Sequence, residues 1–150
     1  MTTFASPTEL AGSVGSHLGY SDWLEITQDR INAFADATDD HQWIHVDIER
    51  AKSGPFGTTI AHGYLTLSLA VKFVDEIFTV EGARMGVNYG TNKVRFVSPV
   101  PVGARLRAGG TLAAVEEVAG GWQATIDLTF ELEGTEKPAC VAQVLYRLYT

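Results

Sequence analysis

Gly63-Tyr64-Leu65-Thr66-Leu67-Ser68-Leu69-Ala70-Val71-Lys72-Phe73-Val74-Asp75-Glu76-Ile77-Phe78 is the stretch on which the fold turns. Apolar residues fall on nearly every side of a helical wheel, and its charges, Lys72, Asp75 and Glu76, come late. A helix of that character is buried along most of its length instead of lying on a surface. Something must therefore wrap it.

The wrapping follows directly in the chain. After Gly82 the pattern changes to strands, first at Lys93-Val94-Arg95-Phe96-Val97, which alternates and is ended by Ser98-Pro99-Val100-Pro101. A second run covers Arg105 to Val115, with room to continue to Val118. Ala119-Gly120-Gly121 reads as a hairpin turn into a strand from Trp122 to Phe130. Gly134-Thr135-Glu136-Lys137 turns once more into a last strand, Ala139 to Tyr149. Consecutive hairpins make the sheet mainly antiparallel. One buried helix with a long antiparallel sheet curling around it is an α+β arrangement in a single domain spanning residues 1–150.

Upstream, Thr27 is placed to cap a helix whose apolar face is Ile31, Phe34 and Ala35. That pattern breaks at Thr38-Asp39-Asp40-His41-Gln42, a polar cluster of the kind found in turns. A short helix is expected from Asp47 to Lys52, stopped by Ser53-Gly54-Pro55.

Composition narrows the function classes. Hydrophobic residues make up 45% of the 150, enough for a sizeable core. No charge-free apolar run reaches the roughly 20 residues that span a bilayer, and Met1 to Pro7 lacks the pattern of a secretory signal. One cysteine, Cys140, cannot form an internal disulfide, so the expected compartment is a reducing cytoplasm. A net charge of -7 argues against nucleic acid as a partner. The charge is unevenly spread, though. Gly82 to Val115 holds no Asp or Glu but carries Arg84, Lys93, Arg95, Arg105 and Arg107, a stretch able to attract a small anion.

Chemistry is expected at Asp40 and His45. Five residues apart, they would sit about 140° apart on a regular helix and share no face. They converge only if the chain leaves helical geometry between them, as the polar cluster allows. A carboxylate beside an imidazole binds and polarises water. Ile60-Ala61-His62-Gly63 adds a second element, because Gly63 begins the buried helix. The first N–H groups of a helix lack internal partners and carry the positive end of its dipole. Without a Cβ, Gly63 lets a carbonyl approach closely, a fitting place for an oxygen that gains negative charge.

These residues together resemble a known family. Phe34-Ala35-Asp36-Ala37-Thr38-Asp39-Asp40-His41-Gln42-Trp43-Ile44-His45 looks like the hydratase-2 motif of the MaoC-like dehydratases, the R-specific enoyl-CoA hydratases. That motif reads aromatic, then Gly-Asp-x-Asn-Pro-aliphatic-His, so Asp40, Ile44 and His45 match it. Gly57 to Leu65 resembles the family's approach to its central helix, and Arg95 to Val100 the strand after it. The likeness runs in order from about residue 20 to the C-terminus. It implies a hot-dog fold, a homodimer, and an enoyl thioester of coenzyme A or acyl carrier protein as substrate, with no cofactor and no metal. Carried over by position, Asp40 and His45 would activate one water and the Gly63 N–H would polarise the thioester carbonyl. Ile60, Ala61 and His62, with Gly86-Val87-Asn88-Tyr89 and Val97-Ser98, would line the substrate channel, and the basic stretch would meet the coenzyme's phosphates.

Three motif positions depart from the family: Asp39 stands for Gly, Gln42 for Asn and Trp43 for Pro. Gln42 would shift any hydrogen bond that orients the pair, and Trp43 would narrow the acyl pocket. A thioesterase on the same fold is the enzymatic rival, attacking the carbonyl carbon in place of the β-carbon. A non-catalytic acyl-binding subunit is the other, expected to lack the Asp/His pair. A metal centre built from Asp40, His41 and His45 is a weaker reading, since no third strong ligand lies close in sequence.

Overall fold

The structure is a computed structural model that describes residues 1–150. Fourteen elements follow in order: β1 (Thr2–Phe4), α1 (Pro7–Ala11), β2 (His17–Tyr20), β3 (Leu24–Glu25), α2 (Gln28–Thr38), α3 (Trp43–Val46), α4 (Ile48–Lys52), α5 (Gly63–Ser68), α6 (Ala70–Ile77), β4 (Phe78–Val80), β5 (Met85–Phe96), β6 (Arg105–Val118), β7 (Gly121–Leu132) and β8 (Cys140–Tyr149). The main sheet is antiparallel and runs β2-β6-β7-β8-β5, with β3 also pairing along β6. β1 and β4 form a separate parallel ribbon. This is the wrapped-helix architecture expected from the sequence.

Alternation on the strands builds the core. Cys140, Ala142, Val144, Tyr146 and Leu148 of β8 face inward, as do Ala124, Ile126, Leu128, Phe130 and Leu132 of β7. Onto that face pack Leu65, Leu69, Ala70, Phe73, Val74 and Ile77 from α5 and α6. Phe73 and Phe130 meet edge to face at 6.0 Å and are both fully buried.

The central helix differs from expectation in two respects. It is interrupted at Leu69, whose N–H is shared between the carbonyls of Leu65 (3.1 Å) and Thr66 (3.3 Å). That sharing tightens one turn before Phe73 N–H resumes the ladder on Leu69. The rod therefore runs as two helices, and Phe78 already belongs to β4. Burial is also one-sided: Tyr64, Ser68, Val71 and Asp75 form an exposed stripe, because the sheet of one chain covers only part of the circumference.

β5 is longer than the Lys93-to-Val97 run, and it is an edge strand paired only with β8. Its first half has little alternation to read, and nearly all of it is exposed. No helix is long and apolar enough to cross a membrane.

Candidate active site

Thr27 caps α2 as expected, its hydroxyl accepting from Arg30 N–H at 3.2 Å. The helix stops at Asp39, the single non-glycine residue with positive φ (59°). Asp39 thus turns the chain out of helical geometry directly before Asp40, which is what allows Asp40 and His45 to converge. Asp and Asn are the side chains that best tolerate this left-handed conformation after glycine. The expected turn then tightens into the short helix α3, whose last turn carries His45.

His45 is held on three sides. Its Nδ1 lies 2.7 Å from the carbonyl oxygen of Ile60, and a carbonyl has no proton to give, so Nδ1 carries the hydrogen. In the neutral ring the lone pair then sits on Nε2. Its backbone carbonyl accepts from Gln28 Nε2 at 2.8 Å, and Gln28 Oε1 accepts from the buried Thr59 hydroxyl at 2.6 Å. Finally, Ile60 N–H donates to Ile44 C=O at 3.0 Å, binding α3 to the segment before α5. Burial pushes the pKa of His45 below 6.5, aided by His62 and opposed by the Ile60 carbonyl and Asp40. The favoured species is a neutral base.

One carboxylate oxygen of Asp40 and one ring nitrogen each of His45 and His62 lie within 4.8 Å of one another. Asp40 is half exposed and keeps its carboxylate available, apart from a long contact with Gln42 N–H at 3.4 Å. His62 is buried (2% exposed), stacked on His45 at 3.9 Å between centroids, and its Nε2 faces the Asp40 backbone carbonyl at 2.9 Å. That nitrogen, the one 4.0 Å from the Asp40 carboxylate, is therefore a hydrogen-bond donor and not a metal ligand. His41 turns away to Asp36, at 2.9 Å on the surface, so the Asp40-His41-His45 metal reading has no geometric basis.

A cavity of about 310 Å³ opens beside this cluster. His45, Ile60, Ala61, Gly63, Val97 and Ser98, all named from the sequence, line it together with Phe56, Phe96 and Val100, which sequence reasoning did not name. Gly63 is the first residue of α5, and no hydrogen bond within the chain uses its N–H. A Cβ at Gly63 would stand 3.0 Å from the Phe96 ring, so glycine is needed for that ring to pack over the helix start. The alternation of Lys93 to Val97 put Phe96 on a strand, but nothing local told which element it would cover.

Other expectations are not met within one chain. Gly86, Val87, Asn88 and Tyr89 lie on the exposed half of β5, away from this cavity. Tyr89 instead carries the Arg147 guanidinium over its ring at 3.7 Å. Trp43 does not narrow the cavity; its ring lies against Gly54 and beneath Arg50, 4.3 Å from the ring centroid. Gln42 makes no side-chain cap bond, so Gln28, Ile60 and His62 orient the pair. In the acid-free stretch, Arg107 pairs with Glu131 of β7, Arg105 pairs with Glu133 just past its end, and Arg84 donates to the Thr150 carbonyl. Lys93 and Arg95 are left without acidic partners.

Comparison with known proteins identifies the family and the fold. Residues 9–130 match the model of the MaoC like domain, four-fifths of the chain. The chain belongs to the MaoC-like family. A relative from Mycobacterium tuberculosis, 3-hydroxyacyl-thioester dehydratase Z, is 55% identical over 148 residues, covering 98% of both chains. Among solved structures, the monoamine oxidase regulatory protein of Archaeoglobus superposes with a TM-score of 0.81 at 24% identity, covering 99% and 96% of the two chains. The R-hydratase PhaJ1 of Pseudomonas aeruginosa superposes with a TM-score of 0.77 at 18% identity, covering 97% and 86%. At those identities the two structures speak for the hot-dog fold.

Proposed function

We propose that this MaoC-like enzyme is an R-specific hydro-lyase that interconverts trans-2-enoyl and 3-hydroxyacyl thioesters, with Asp40 and His45 activating the water. The observation that carries the residue assignment is the His45 tautomer. Because Nδ1–H is spent on Ile60, the basic nitrogen left is Nε2, on a ring that comes within 4.8 Å of the Asp40 carboxylate and lines an apolar cavity. Gly63, whose N–H has no partner within the chain, lines the same cavity.

In the forward direction Asp40 and His45 hold one water. His45 Nε2 takes its proton as the oxygen bonds to the β-carbon and the π electrons move onto the thioester oxygen. Gly63 N–H donates to that oxygen while it carries negative charge. Return of the proton from His45 to the α-carbon completes the addition, and dehydration is the same path reversed. Every group the step needs comes from the chain, so no cofactor beyond the thioester handle is required.

The substrate handle is coenzyme A or acyl carrier protein. Lys93 and Arg95, free of carboxylate partners just before Phe96, are suited to its phosphates. The exposed edge of β5 and the Tyr64-Val71 stripe suit pairing with a second copy, which would bring Gly86 to Tyr89 against a neighbouring surface. Cys140, buried with its thiol pushed up to about 11, fits a reducing cytoplasm.

Crotonyl-CoA consumption, followed at the enoyl-thioester absorbance, tests the assignment. Asp40→Asn and His45→Gln should each lower the rate about 10²- to 10⁴-fold while the protein stays folded. Wild-type rates in either folded variant would remove the mechanism. Coenzyme A released from a saturated acyl-CoA would instead mark a thioesterase.

A further inference from the structure

We propose that His62 is a positioning residue that sets the separation between the water-activating pair and the oxyanion donor. The proposal rests on the hydratase reading above. In a conjugated addition, water must meet the β-carbon while the thioester oxygen rests on its donor, and the planar substrate fixes the distance between those two points. The protein must hold the same distance.

His62 touches both halves. Its Nε2 faces the carbonyl oxygen of Asp40 at 2.9 Å across 22 residues of chain, and must carry the hydrogen because the carbonyl has none. Its ring lies on His45 at 3.9 Å with 24° between planes, and Phe34 flanks it at 4.9 Å. Its own backbone is the N-cap of α5, where its carbonyl accepts from Leu65 and Thr66 N–H, and the next residue is Gly63. One residue thus fastens the main chain of Asp40, the ring plane of His45 and the start of the helix that presents the Gly63 N–H.

Packing alone does not account for a histidine here. At 2% exposure it is not among the residues that line the cavity, where sequence reasoning placed it. Its Nδ1 is buried without a hydrogen-bond partner, a cost that a leucine or phenylalanine would avoid. The Nε2 donor is what such a residue could not supply.

The test uses tautomers and rescue. Long-range ¹H–¹⁵N correlation on the wild-type protein should show His62 protonated at Nε2 and His45 at Nδ1. A His62 protonated at Nδ1 in the neutral ring would overturn the proposal. His62→Gln places an amide N–H where Nε2 stands and should keep kcat within about tenfold of wild type, whereas His62→Leu should lose about 100-fold with KM little changed. His62→Asn, too short to reach Asp40, should behave as His62→Leu and serves if the leucine variant does not fold. Equal kcat in the folded glutamine and leucine or asparagine variants would show that the donor is not what matters. A wild-type protein unable to hydrate crotonyl-CoA would sink the hydratase reading, while the tautomer measurement would still decide whether His62 holds Asp40.

Discussion

Gly63→Ala separates the two reasons this position has for being glycine. An ideal Cβ there meets Phe96 Cδ2 at 3.0 Å and its Cε2 and Cγ at 3.1 Å, a few tenths of an ångström inside ordinary contact. Phe96 is 48% exposed, so its ring can swing outward at little cost. The backbone at Gly63 is not left-handed, and alanine is the better helix former by about 1 kcal/mol. The substitution should therefore leave the melting temperature within a few degrees of wild type. Activity should respond very differently. The added methyl group stands beside the free N–H and obstructs the thioester oxygen, and losing one such donor costs about 10²- to 10³-fold in kcat, or roughly 3–4 kcal/mol. Crotonyl-CoA hydration measured with calorimetry on the same samples reads both quantities. Displacement of Phe96 alone is excluded by the double variant with Phe96→Ala, which relieves the crowding but leaves the methyl in place. If Gly63→Ala hydrates at the wild-type rate, or the double variant regains it, Gly63 is not the oxyanion donor.

Four more expectations follow from the same structure. Because burial holds the pKa of His45 below 6.5, the acid limb of kcat/KM should centre below 6.5; a limb centred above it would contradict a buried neutral base. By linkage, the unfolded chain binds the His45 proton near pH 6.5 and the folded chain only lower, so stability falls as pH drops from 6.5 through the folded pKa. His45→Gln should flatten that part of a denaturation series. Gln28→Ala removes the bond to His45 C=O and leaves the buried Thr59 hydroxyl without its acceptor, which should cost about 1–3 kcal/mol in urea unfolding and lower kcat as α3 loosens. Val87→Lys on the β5 edge should reduce the mass seen by light scattering to that of one chain of 16.2 kDa if β5 is the homodimer seam; an unchanged mass would place the partner elsewhere.

The architecture was legible wherever periodicity was strong. β7 and β8 alternate along their whole length and are bounded by Gly120-Gly121 and Gly134, so their ends were readable to within about two residues. α1 and β1 to β3 were not, because two to five residues are too few to show a period. The exposed half of β5 was missed for a different reason: period-2 patterning appears only where one face is buried, and neither face of Met85–Asn92 is. At the site, Asp40, His45 and Gly63 could be named from residue type and spacing. Gln28, Thr59 and Phe96 could not. Their roles come from contacts made 17 to 33 residues away in the chain, and nothing around Gln28 distinguishes it from any solvent-facing glutamine at a helix start.

The three altered motif positions show why the pair survives them. Asp39 takes over a left-handed φ of 59°, which is the demand a glycine there would meet, so the turn that brings Asp40 toward His45 is kept. Gln42 contributes its backbone carbonyl to His45 N–H at 3.0 Å, a bond indifferent to the side chain. Trp43 spends its bulk on Gly54 and Arg50 and does not line the cavity. The His45 imidazole is oriented by groups that lie outside the motif, the Ile60 carbonyl, Gln28 and His62. On the proposed reading, Phe56, Phe96 and Val100, which line the cavity, should set the substrate range, and not the residues in which the motif differs. Reverting Gln42 and Trp43 to the family's Asn and Pro should accordingly leave the acyl-length profile where it is, whereas Phe96→Ala should extend it.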